Sequence, residues 1–444
     1  MVVGAGLAGA ACARALARAG VSVVLVEAGS APAMGASGNP VGILHPFVSR
    51  DHNLASQWFA AGMQTSLRWC HELAQQDAMT DLFGTCGVLQ LAASEEESVN
   101  WSGLAQRFGF EKSWLEFWDA NQVADFISGQ TSQESRTRFG GLWCAQGTWV
   151  RPAVFVARCL ADAKAHGAQI IFNHRIESPE SLARELDGHF DGVVLSAAQD
   201  IHRLAPSATL RLNAVRGAIT AFRPPQATHQ ATHQAAHQSA HQSDHQAEHQ
   251  SGHQSDHQSV HQSVHQSAVP FEGPSAIICL NGYVTPMIDG ELIVGATFER
   301  LTEASESGSR DVQAAAEENL ARLEAISPAL AAQCQAQAST SRVSVRSATH
   351  DRMPLIGRIA DPSAPLSVQL SQLAQMPRDP RVFVLGGLGS RGLATAPLGA
   401  EIIAGMITGQ PLPVSVALIN SVDPARFALR AHQRRNVQKP AVID

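Results

Sequence analysis

The chain has 444 residues, 45% of them hydrophobic, and a formal net charge of −7 at pH 7. It is long enough for two domains, its composition is typical of a globular protein, and its negative charge argues against general affinity for nucleic acid. We expect no membrane partner, because the most apolar stretch, 394–408, contains Glu401. Seven cysteines without a CxxC pair indicate reduced thiols and a cytoplasmic location.

A glycine-rich turn lies at the start of the chain. Gly4, Gly6 and Gly9 form a GxGxxG pattern. The pattern lies between a buried strand that ends at Val3 and a helix predicted over 8–19. In such a turn the first glycine permits the sharp bend, the second lets a pyrophosphate approach the backbone, and the third lets the helix pack on the sheet. The positive end of the helix then faces the phosphates.

The next strand, predicted over 21–26, ends at Glu27, whose carboxylate suits the hydroxyl groups of an adenosine ribose. Together with the glycine turn, this predicts a dinucleotide cofactor. The alternative is a tight turn in an ordinary β-α-β unit. Only three residues precede Gly4, which is short for a first strand. We therefore expect either a start further upstream or reduced cofactor affinity.

Predicted helices and strands alternate through the middle of the chain. The helices span 53–73, 98–108, 119–126 and 152–166, and the strands span 86–92, 169–172 and 191–198. Strands dominate from 210 to 298 and include a hairpin over 283–297 that turns at Asp289-Gly290. This order predicts an α/β fold, in which a strand-rich α+β substrate domain is inserted into a Rossmann-like cofactor-binding domain.

The predicted domains are discontinuous in sequence. The cofactor-binding domain comprises 1–80, 136–205 and 340–420. The substrate domain comprises 81–135 and 206–339, with a low-complexity insertion over 226–268. A basic tail covers 421–444.

The insertion is a four-residue repeat that places a histidine at every fourth position from His229 to His265. Histidines at i and i+4 on a helix can share a metal ion, whereas a segment rich in Ser and Gln with almost no large apolar residue is typical of a disordered loop. We favour the loop and predict no metal site. Predicted strands over 214–222 and 276–280 flank the repeat, so we expect an insertion in a β-hairpin.

Two arginines late in the chain are candidate catalytic residues. Arg346 lies on a predicted strand, which a turn over 351–354 connects to another strand. Arg391 lies in a second glycine-rich turn, 386–392, which leads into a helix starting near 395–397. Closure of a dinucleotide pocket by this second turn favours a flavin over a nicotinamide. Beside a flavin, the two guanidinium groups would bind a substrate carboxylate, and a surface ion pair is the alternative for each.

Several segments carry a resemblance to a known family. Together with the glycine turn and the hairpin, segments 35–46, 345–357 and 388–397 resemble the glycine oxidase/D-amino-acid oxidase superfamily of FAD enzymes. Within it they are most similar to the FAD-dependent C-terminal half of the bifunctional proteins that synthesise 5-methylaminomethyl-2-thiouridine in tRNA. The resemblance covers nearly the whole chain except the repeat. It implies oxidation of 5-carboxymethylaminomethyl-2-thiouridine at the wobble position to the 5-aminomethyl form.

The resemblance also implies the site. Arg346 and Arg391 would hold the carboxylate of the N-substituted glycine arm, and Tyr283, the only tyrosine, would lie near the substrate; a core tyrosine is the alternative. No cysteine lies beside either arginine in sequence, so we expect noncovalent FAD. The expected cofactor-binding residues are Gly4, Gly6, Gly9, Glu27, Ser37, Gly38, Asn39, Ala197, Gly387, Gly389, Ser390, Gly392 and Leu393.

Two features depart from that family. The methyltransferase half has no counterpart in this sequence, so we expect a separate methyltransferase to add the final methyl group. The net charge is negative, and only the tail offers a basic stripe, formed by Arg426, Arg430, Arg434, Arg435 and Lys439. The stripe is either a contact for tRNA phosphates or a solvated helix face.

Two other functions stay open. One is a small-molecule oxidase with the same fold that acts on glycine, sarcosine or a D-amino acid. The other is a flavoprotein whose His-rich repeat binds a metal ion or a protein partner.

Overall fold

The computed structural model describes residues 1–75, 81–131, 139–223, 273–301, 311–367 and 370–437. The repeat over 226–268 and Lys439 lie outside the described residues. In chain order the strands are β1 (Val2–Val3), β2 (Val24–Val26), β3 (Gly42–Leu44), β4 (Phe83–Thr85), β5 (Val88–Leu91), β6 (Glu116–Trp118), β7 (Gly141–Cys144), β8 (Thr148–Val150), β9 (Gln169–Ile171), β10 (Val193–Leu195), β11 (Leu212–Arg223), β12 (Ile277–Cys279), β13 (Tyr283–Ile288), β14 (Glu291–Gly295), β15 (Glu299–Arg300), β16 (Ala338–Thr349), β17 (Leu355–Ala360) and β18 (Arg378–Gly386).

The helices connect these strands. In chain order they are α1 (Leu7–Arg18), α2 (Leu54–Ala74), α3 (Glu95–Trp101), α4 (Leu104–Arg107), α5 (Ala120–Thr131), α6 (Pro152–Ala165), α7 (Pro179–Leu186), α8 (Ile201–Leu204), α9 (Val312–Ile326), α10 (Pro328–Gln335), α11 (Ala396–Thr408), α12 (Val416–Val422) and α13 (Arg426–Val437). None of the helices within the described ranges is long and apolar enough to cross a bilayer.

The first large sheet is the Rossmann-like part of the fold. Its strand order is β17-β18-β10-β1-β2-β9. All neighbouring pairs are parallel except β17 with β18 at the edge. The middle strand β10 consists of three buried apolar residues, as expected of a parallel strand covered on both faces. The predicted α/β class with a Rossmann-like domain is confirmed.

Helix α1 approaches its neighbours closely because its buried side chains are small. Its sequence places alanine at 8, 10, 11 and 13, all buried, and the helix packs on α6 and α11. Gly9 lies where α1 meets the glycine turn, and a Cβ atom there would lie 1.8 Å from the carbonyl oxygen of Gly4. The third glycine of the pattern therefore has the packing role that the sequence predicts.

The second large sheet has the order β15-β11-β14-β13-β12-β5-β7-β6, with β16 along the other side of β11. The predicted hairpin is found as β13 and β14. Its turn residues Asp289 and Gly290 have φ of 53° and 75°, and such positive values at both central residues match the right-handed twist of the flanking strands. Helix α9 packs on β11, β14 and β16. The strand-rich part that the sequence predicts is therefore found as this second sheet.

The chain passes from the second sheet to the first between β16 and β17. β16 pairs with β11 from Thr349 opposite Leu212 to Ala338 opposite Arg223, whereas β17 pairs with β18 in the first sheet. The side chain of Asp351 accepts a hydrogen bond from the N–H of Met353 inside this crossing. The predicted turn over 351–354 is confirmed, and it joins two different sheets.

Strand pairing corrects parts of the sequence prediction. β7 and β16 pair in the second sheet, although they fall in segments predicted for the cofactor-binding domain. The strands that flank the repeat, β11 and β12, are not a hairpin, because β14 and β13 lie between them. The helix predicted over 98–108 is divided into α3 and α4, since Gly103 between them has φ of 83°. The remaining domain boundaries stay predictions.

A largely buried ion pair fixes the C-terminal helix α13 to the crossing. Arg426 is 3% exposed and donates two hydrogen bonds of 2.9 Å to the carboxylate of Asp351. Arg430 donates a third, also of 2.9 Å. Burial alone would raise the pKa of Asp351, but the two arginines outweigh burial and hold it at about 2.

This ion pair changes the interpretation of the basic tail. The prediction that Arg426 belongs to an exposed stripe is wrong, because its guanidinium group is buried against Asp351. Arg430, Arg434 and Arg435 are exposed. Any phosphate contact on α13 therefore has to come from these three residues.

We expect Arg426→Met to lower the free energy of unfolding by about 3 kcal/mol at pH 7, because it leaves the partly buried Asp351 without its main partner. Arg434→Ala, an exposed residue of the same helix, should change it by less than about 0.5 kcal/mol. Urea unfolding followed by tryptophan fluorescence measures both. Equal effects of the two substitutions would show that the pair does not hold α13.

The same variant has a predicted pH dependence. The folded pKa of Asp351 is depressed, so its stabilising contribution is fully present above the unfolded value of about 4 and is lost as the pH falls towards 2. We expect the stability difference between wild type and Arg426→Met to shrink over this interval. A stability difference that stays constant from pH 6 to pH 2.5 would contradict the stabilising role of the ionised Asp351 carboxylate.

Candidate functional site

A cavity of about 650 Å³ lies between the two large sheets. Its walls include residues at the carboxyl ends of β1, β2, β10 and β18 in the first sheet, and residues of β13 and β16 in the second. In open α/β sheets, ligands bind outside the carboxyl ends of the parallel strands. The volume also lies in the usual range for small-molecule and cofactor sites. This cavity is therefore the candidate active site.

The glycine turn after β1 forms one end of the cavity. Gly4 has φ of 104°, and a Cβ atom there would lie 2.7 Å from the carbonyl oxygen of Ser196, so the turn needs glycine. Gly6 lies at the N-terminus of α1, where the N–H of Leu7 donates to the hydroxyl of Ser37 at 3.0 Å. Free N–H groups and the helix dipole at such an end favour an anion. The arrangement suits a pyrophosphate.

Glu27 lies at the end of β2 and holds the turn in place. Its two carboxylate oxygens accept hydrogen bonds from the N–H of Ala5 at 2.6 Å and of Gly29 at 2.8 Å. An ionised carboxylate offers about four lone-pair sites, so Glu27 can accept further hydrogen bonds from the cavity that it lines. This position suits ribose hydroxyls.

Several residues that line the cavity carry a buried polar atom without a hydrogen-bond partner among the described residues, and they include Ser347 with its hydroxyl and Arg346 with Nη1. Buried polar groups are normally satisfied, so a polar ligand in the cavity is the partner that they lack. FAD carries a pyrophosphate, ribose hydroxyls and a flat ring with a polar edge. The glycine turn, Ser37, Glu27 and the Ser347 hydroxyl fit that cofactor.

The late glycine turn is bound to β16. The N–H of Gly389 donates to the carbonyl oxygen of Ser347 at 2.7 Å. Gly387 and Gly389 have φ of 64° and 56°, a left-handed conformation that glycine adopts without steric cost. This contact brings the turn that carries Arg391 beside the strand that carries Arg346.

Arg346 is buried without an ion-pair partner among the described residues. It is 8% exposed, and its guanidinium carbon lies 4.8 Å from the ring centroid of Phe298. Burial lowers its pKa, but an arginine remains charged in proteins. Arg14, which is 1% exposed, is the informative comparison, because it forms ion pairs of 2.7 Å with both Asp162 and Glu72. The positive charge of Arg346 is therefore available to a ligand.

Arg391 is likewise surrounded by rings rather than by carboxylates. Its guanidinium carbon lies 4.9 Å from the ring centroids of both Phe47 and Phe59, and it forms no ion pair within the described part of the chain. Burial lowers the pKa of Arg391 to about 10, which keeps it protonated at neutral pH. Burial, and then the charge of Arg391, lower the pKa of His45 to about 3. His45 therefore lines the cavity as a neutral imidazole.

Tyr283 and Cys279 face the cavity from the second sheet, where they are cross-strand partners on β13 and β12. Burial raises the pKa of Tyr283 above its ordinary value, so its phenol stays protonated. Burial raises the pKa of the Cys279 thiol to about 12, which makes it a poor nucleophile. A cysteine thus lies nearer the candidate site than the sequence order indicates, and noncovalent FAD binding stays a prediction.

The cavity brings together most of the predicted site residues. Its lining includes Gly4, Gly6, Glu27, Ser37, Asn39, Ala197, Tyr283, Arg346, Gly387, Gly389, Ser390, Arg391, Gly392 and Leu393. Gly9 and Gly38 do not line it. A Cβ atom at Gly38 would lie 2.3 Å from the carbonyl oxygen of Ala33, so Gly38, like Gly9, permits close backbone packing. The individual roles of these residues in binding stay predictions.

Several lining residues were not indicated by the sequence, among them His45, Cys279 and Phe298. His45 lies inside segment 35–46, whose resemblance to a family was the one signal available for it. Cys279 and Phe298 reach the cavity through the pairing of strands in the second sheet, and no local pattern reveals that pairing.

Comparison with known proteins agrees with this architecture. The profile of the family described as FAD dependent oxidoreductase matches residues 1–406. The tRNA 5-methylaminomethyl-2-thiouridine biosynthesis bifunctional protein MnmC of Azoarcus sp. strain BH72 is 29% identical over 439 residues, covering 97% of this chain and 60% of that protein. MnmC of Ralstonia nicotianae is 31% identical over 449 residues with the same coverage. The chain thus spans about 60% of the length of these relatives.

Two solved structures illustrate the shared fold. Glycine oxidase from Geobacillus kaustophilus superposes with a TM-score of 0.65 at 17% identity, covering 96% of this chain and 97% of that one. Iminodiacetate oxidase from Chelativorans sp. BNC1 superposes with a TM-score of 0.64 at 18% identity, covering 95% and 98%. At these identities the likeness shows the fold, and it confirms the predicted glycine oxidase-like architecture.

We expect Gly9→Ala to weaken FAD binding at least tenfold, because the new methyl group would lie 1.8 Å from the Gly4 carbonyl oxygen and displace the turn. Ala15→Gly on the same helix costs about 1 kcal/mol of helix propensity and leaves the turn untouched, so it is the matched control. Titration of the apoprotein with FAD, followed by flavin fluorescence, gives both dissociation constants. An unchanged constant for Gly9→Ala would contradict the role of this turn.

Proposed function

Because the chain belongs to the FAD-dependent oxidoreductase family, we propose that it oxidises the carboxymethylaminomethyl group of wobble 5-carboxymethylaminomethyl-2-thiouridine in tRNA. The products would be 5-aminomethyl-2-thiouridine and glyoxylate. The observation that carries this proposal is the presence of two guanidinium groups without ion-pair partners in one cofactor cavity, within the described residues. The similarity to MnmC proteins over 97% of this chain supports the choice of substrate.

The substrate arm is an N-substituted glycine, with a carboxylate on one side of a CH₂ group and an amine on the other. Arg346 and Arg391 hold the carboxylate, since a guanidinium group binds such an anion with two parallel hydrogen bonds. The protonated phenol of Tyr283 donates a further hydrogen bond. FAD, when bound, supplies a two-electron oxidant. Oxidation of the CH₂–NH unit gives an imine, which water hydrolyses to glyoxylate and the primary amine.

No strong base is needed if the amine binds in its neutral form. The two fixed positive charges favour that form, because a like charge nearby disfavours a protonated amine. His45 is neutral mainly because it is buried, and the charge of Arg391 lowers its pKa further. The cavity therefore selects an anionic carboxylate and a neutral nitrogen, which is the reactive form for oxidation at carbon.

The proposed partner is tRNA, supported by what the names of the MnmC relatives say those proteins act on. Arg430, Arg434 and Arg435 remain candidates for phosphate contacts, since all three are exposed on α13. Addition of the final methyl group would fall to a separate methyltransferase. We place the reaction in the cytoplasm, in keeping with seven cysteines that are all free.

The central test is the nucleoside composition of tRNA from a strain that lacks this protein. We expect 5-carboxymethylaminomethyl-2-thiouridine to accumulate, and its level to return to normal when the wild-type chain is restored. Unchanged levels would overturn the proposed function. Oxidation of glycine, sarcosine or a D-amino acid by the purified protein, together with unchanged tRNA, would instead establish a small-molecule oxidase.

We expect Arg346→Met and Arg391→Met each to lower kcat/KM for the tRNA substrate by at least a hundredfold, because each removes a charged hydrogen bond to the carboxylate. Arg358→Met, an exposed arginine on β17, is the matched control and should leave kcat/KM within twofold. Glyoxylate release is the readout, and the flavin absorption spectrum reports retained FAD. Full activity of either cavity variant would exclude carboxylate binding by that arginine.

Removal of 226–268, the His-Gln repeat, tests whether the protein has a metal- or partner-binding role instead. We expect the shortened chain to keep FAD binding and turnover within twofold of the full chain, because the repeat's composition is typical of a surface loop. Flavin content and glyoxylate release are measured on both proteins. A large loss of turnover that zinc or another metal ion modulates would favour the metal-binding function.

A further inference from the structure

An aromatic side chain stands exposed at the edge of the cavity. Phe298 lies between β14 and β15, lines the cavity and is 58% exposed. Val345, on β16, also lines it and is 42% exposed. Large apolar side chains exposed beside a binding cavity mark a surface that a ligand covers.

The exposed ring lies on top of the carboxylate-binding cation. The guanidinium carbon of Arg346 lies 4.8 Å from the ring centroid of Phe298. The same guanidinium group also lies close to Gly217 of β11, where a Cβ atom would be 3.0 Å from Nη2. It is thus packed near the backbone of β11 as well as near the ring, and more than half of the surface of Phe298 stays exposed.

We propose that Phe298 is a stacking platform for the base that carries the substrate arm. This inference rests on the proposed function, and it names a specificity-determining residue for it. The arm between the carboxylate and the pyrimidine ring is short, with one nitrogen flanked by two methylene groups. When Arg346 holds the carboxylate, the pyrimidine must lie within a side-chain length of the guanidinium group, which is where the ring of Phe298 lies.

The energetics favour a planar, uncharged ligand group on this platform. Stacking of a base on an aromatic side chain tolerates any base and adds to affinity, and the cation beneath Phe298 polarises the ring further. An unattached glycine or sarcosine would reach Arg346 without touching the exposed face. Phe298 thus separates nucleoside-bearing substrates from small amino acids by affinity, while Arg346 binds the carboxylate of both.

The test compares two probes on the FAD-loaded full chain. One is 5-carboxymethylaminomethyluridine as the free nucleoside, and the other is N-ethylglycine, which keeps the carboxylate and amine and lacks the ring. Binding of each is followed by the perturbation of the flavin spectrum. We expect Phe298→Ala to raise the dissociation constant of the nucleoside about tenfold or more and to leave that of N-ethylglycine within twofold. Phe298→Trp should restore nucleoside binding.

Controls separate stacking from other effects. Val99→Ala, a change at an exposed apolar residue on α3, should leave both constants unchanged. Equal weakening of both probes by Phe298→Ala would mean that the ring only positions Arg346, and no weakening of either would mean that it makes no contact; both outcomes overturn the inference.

The result of the tRNA nucleoside analysis is independent of the result of this binding test. If the deletion strain shows normal tRNA while Phe298→Ala still weakens the nucleoside selectively, the proposed function fails and the platform stands. If the tRNA changes as expected and the two probes respond alike to Phe298→Ala, the platform fails and the proposed function stands. A wild-type protein that binds neither probe would overturn the platform, and the proposed function would still be decided by the tRNA of the deletion strain.

Discussion

The constraint on which the site depends is an uncompensated positive charge between the two sheets. Arg346 is as strongly buried as residues of the apolar core, yet no carboxylate in the described residues neutralises it, and Arg391 packs against two aromatic rings. A buried unpaired charge is costly, so a fold keeps it where a ligand compensates for it. Arg14 shows the alternative within the same protein, since two carboxylates neutralise it and it does not line this cavity. The difference between these arginines distinguishes a binding group from a structural one.

Strand β16 is the element that builds this arrangement. It pairs with β11 along its whole length, and it also accepts a hydrogen bond from the late glycine turn through the Ser347 carbonyl. Near its other end, Arg342 donates to the carbonyl oxygens of Met34 and Gly35 in the loop after β2. One strand thus contacts the late glycine turn and the loop after β2 while it carries Arg346. The backbone hydrogen bond between Gly389 and Ser347 fixes the position of the late glycine turn relative to Arg346.

A feature of the fold or the site could be predicted when the residues that form it lie close together in the sequence. The glycine turn, Glu27 and the β13–β14 hairpin rest on contacts between near neighbours in sequence, and all were found where the sequence predicts them. The partners of β11 and β16 depend on pairing between distant strands, which local patterns do not specify, so the predicted hairpin around the repeat was wrong. Arg426 was misassigned for the same reason, because its spacing on a helix is that of a surface residue while Asp351, far away in sequence, makes it a buried one.

The negative charge of the chain and the positive charge of the cavity would act on different parts of the proposed tRNA substrate. A net charge of −7 repels the phosphate backbone at long range, so broad affinity for RNA is weak. Under the proposed function, the guanidinium groups would act at short range on a carboxylate that unmodified RNA does not contain. Recognition would then depend on the modified arm and its base more than on the backbone. A site built in this way would discriminate among tRNAs by the chemistry at one nucleotide.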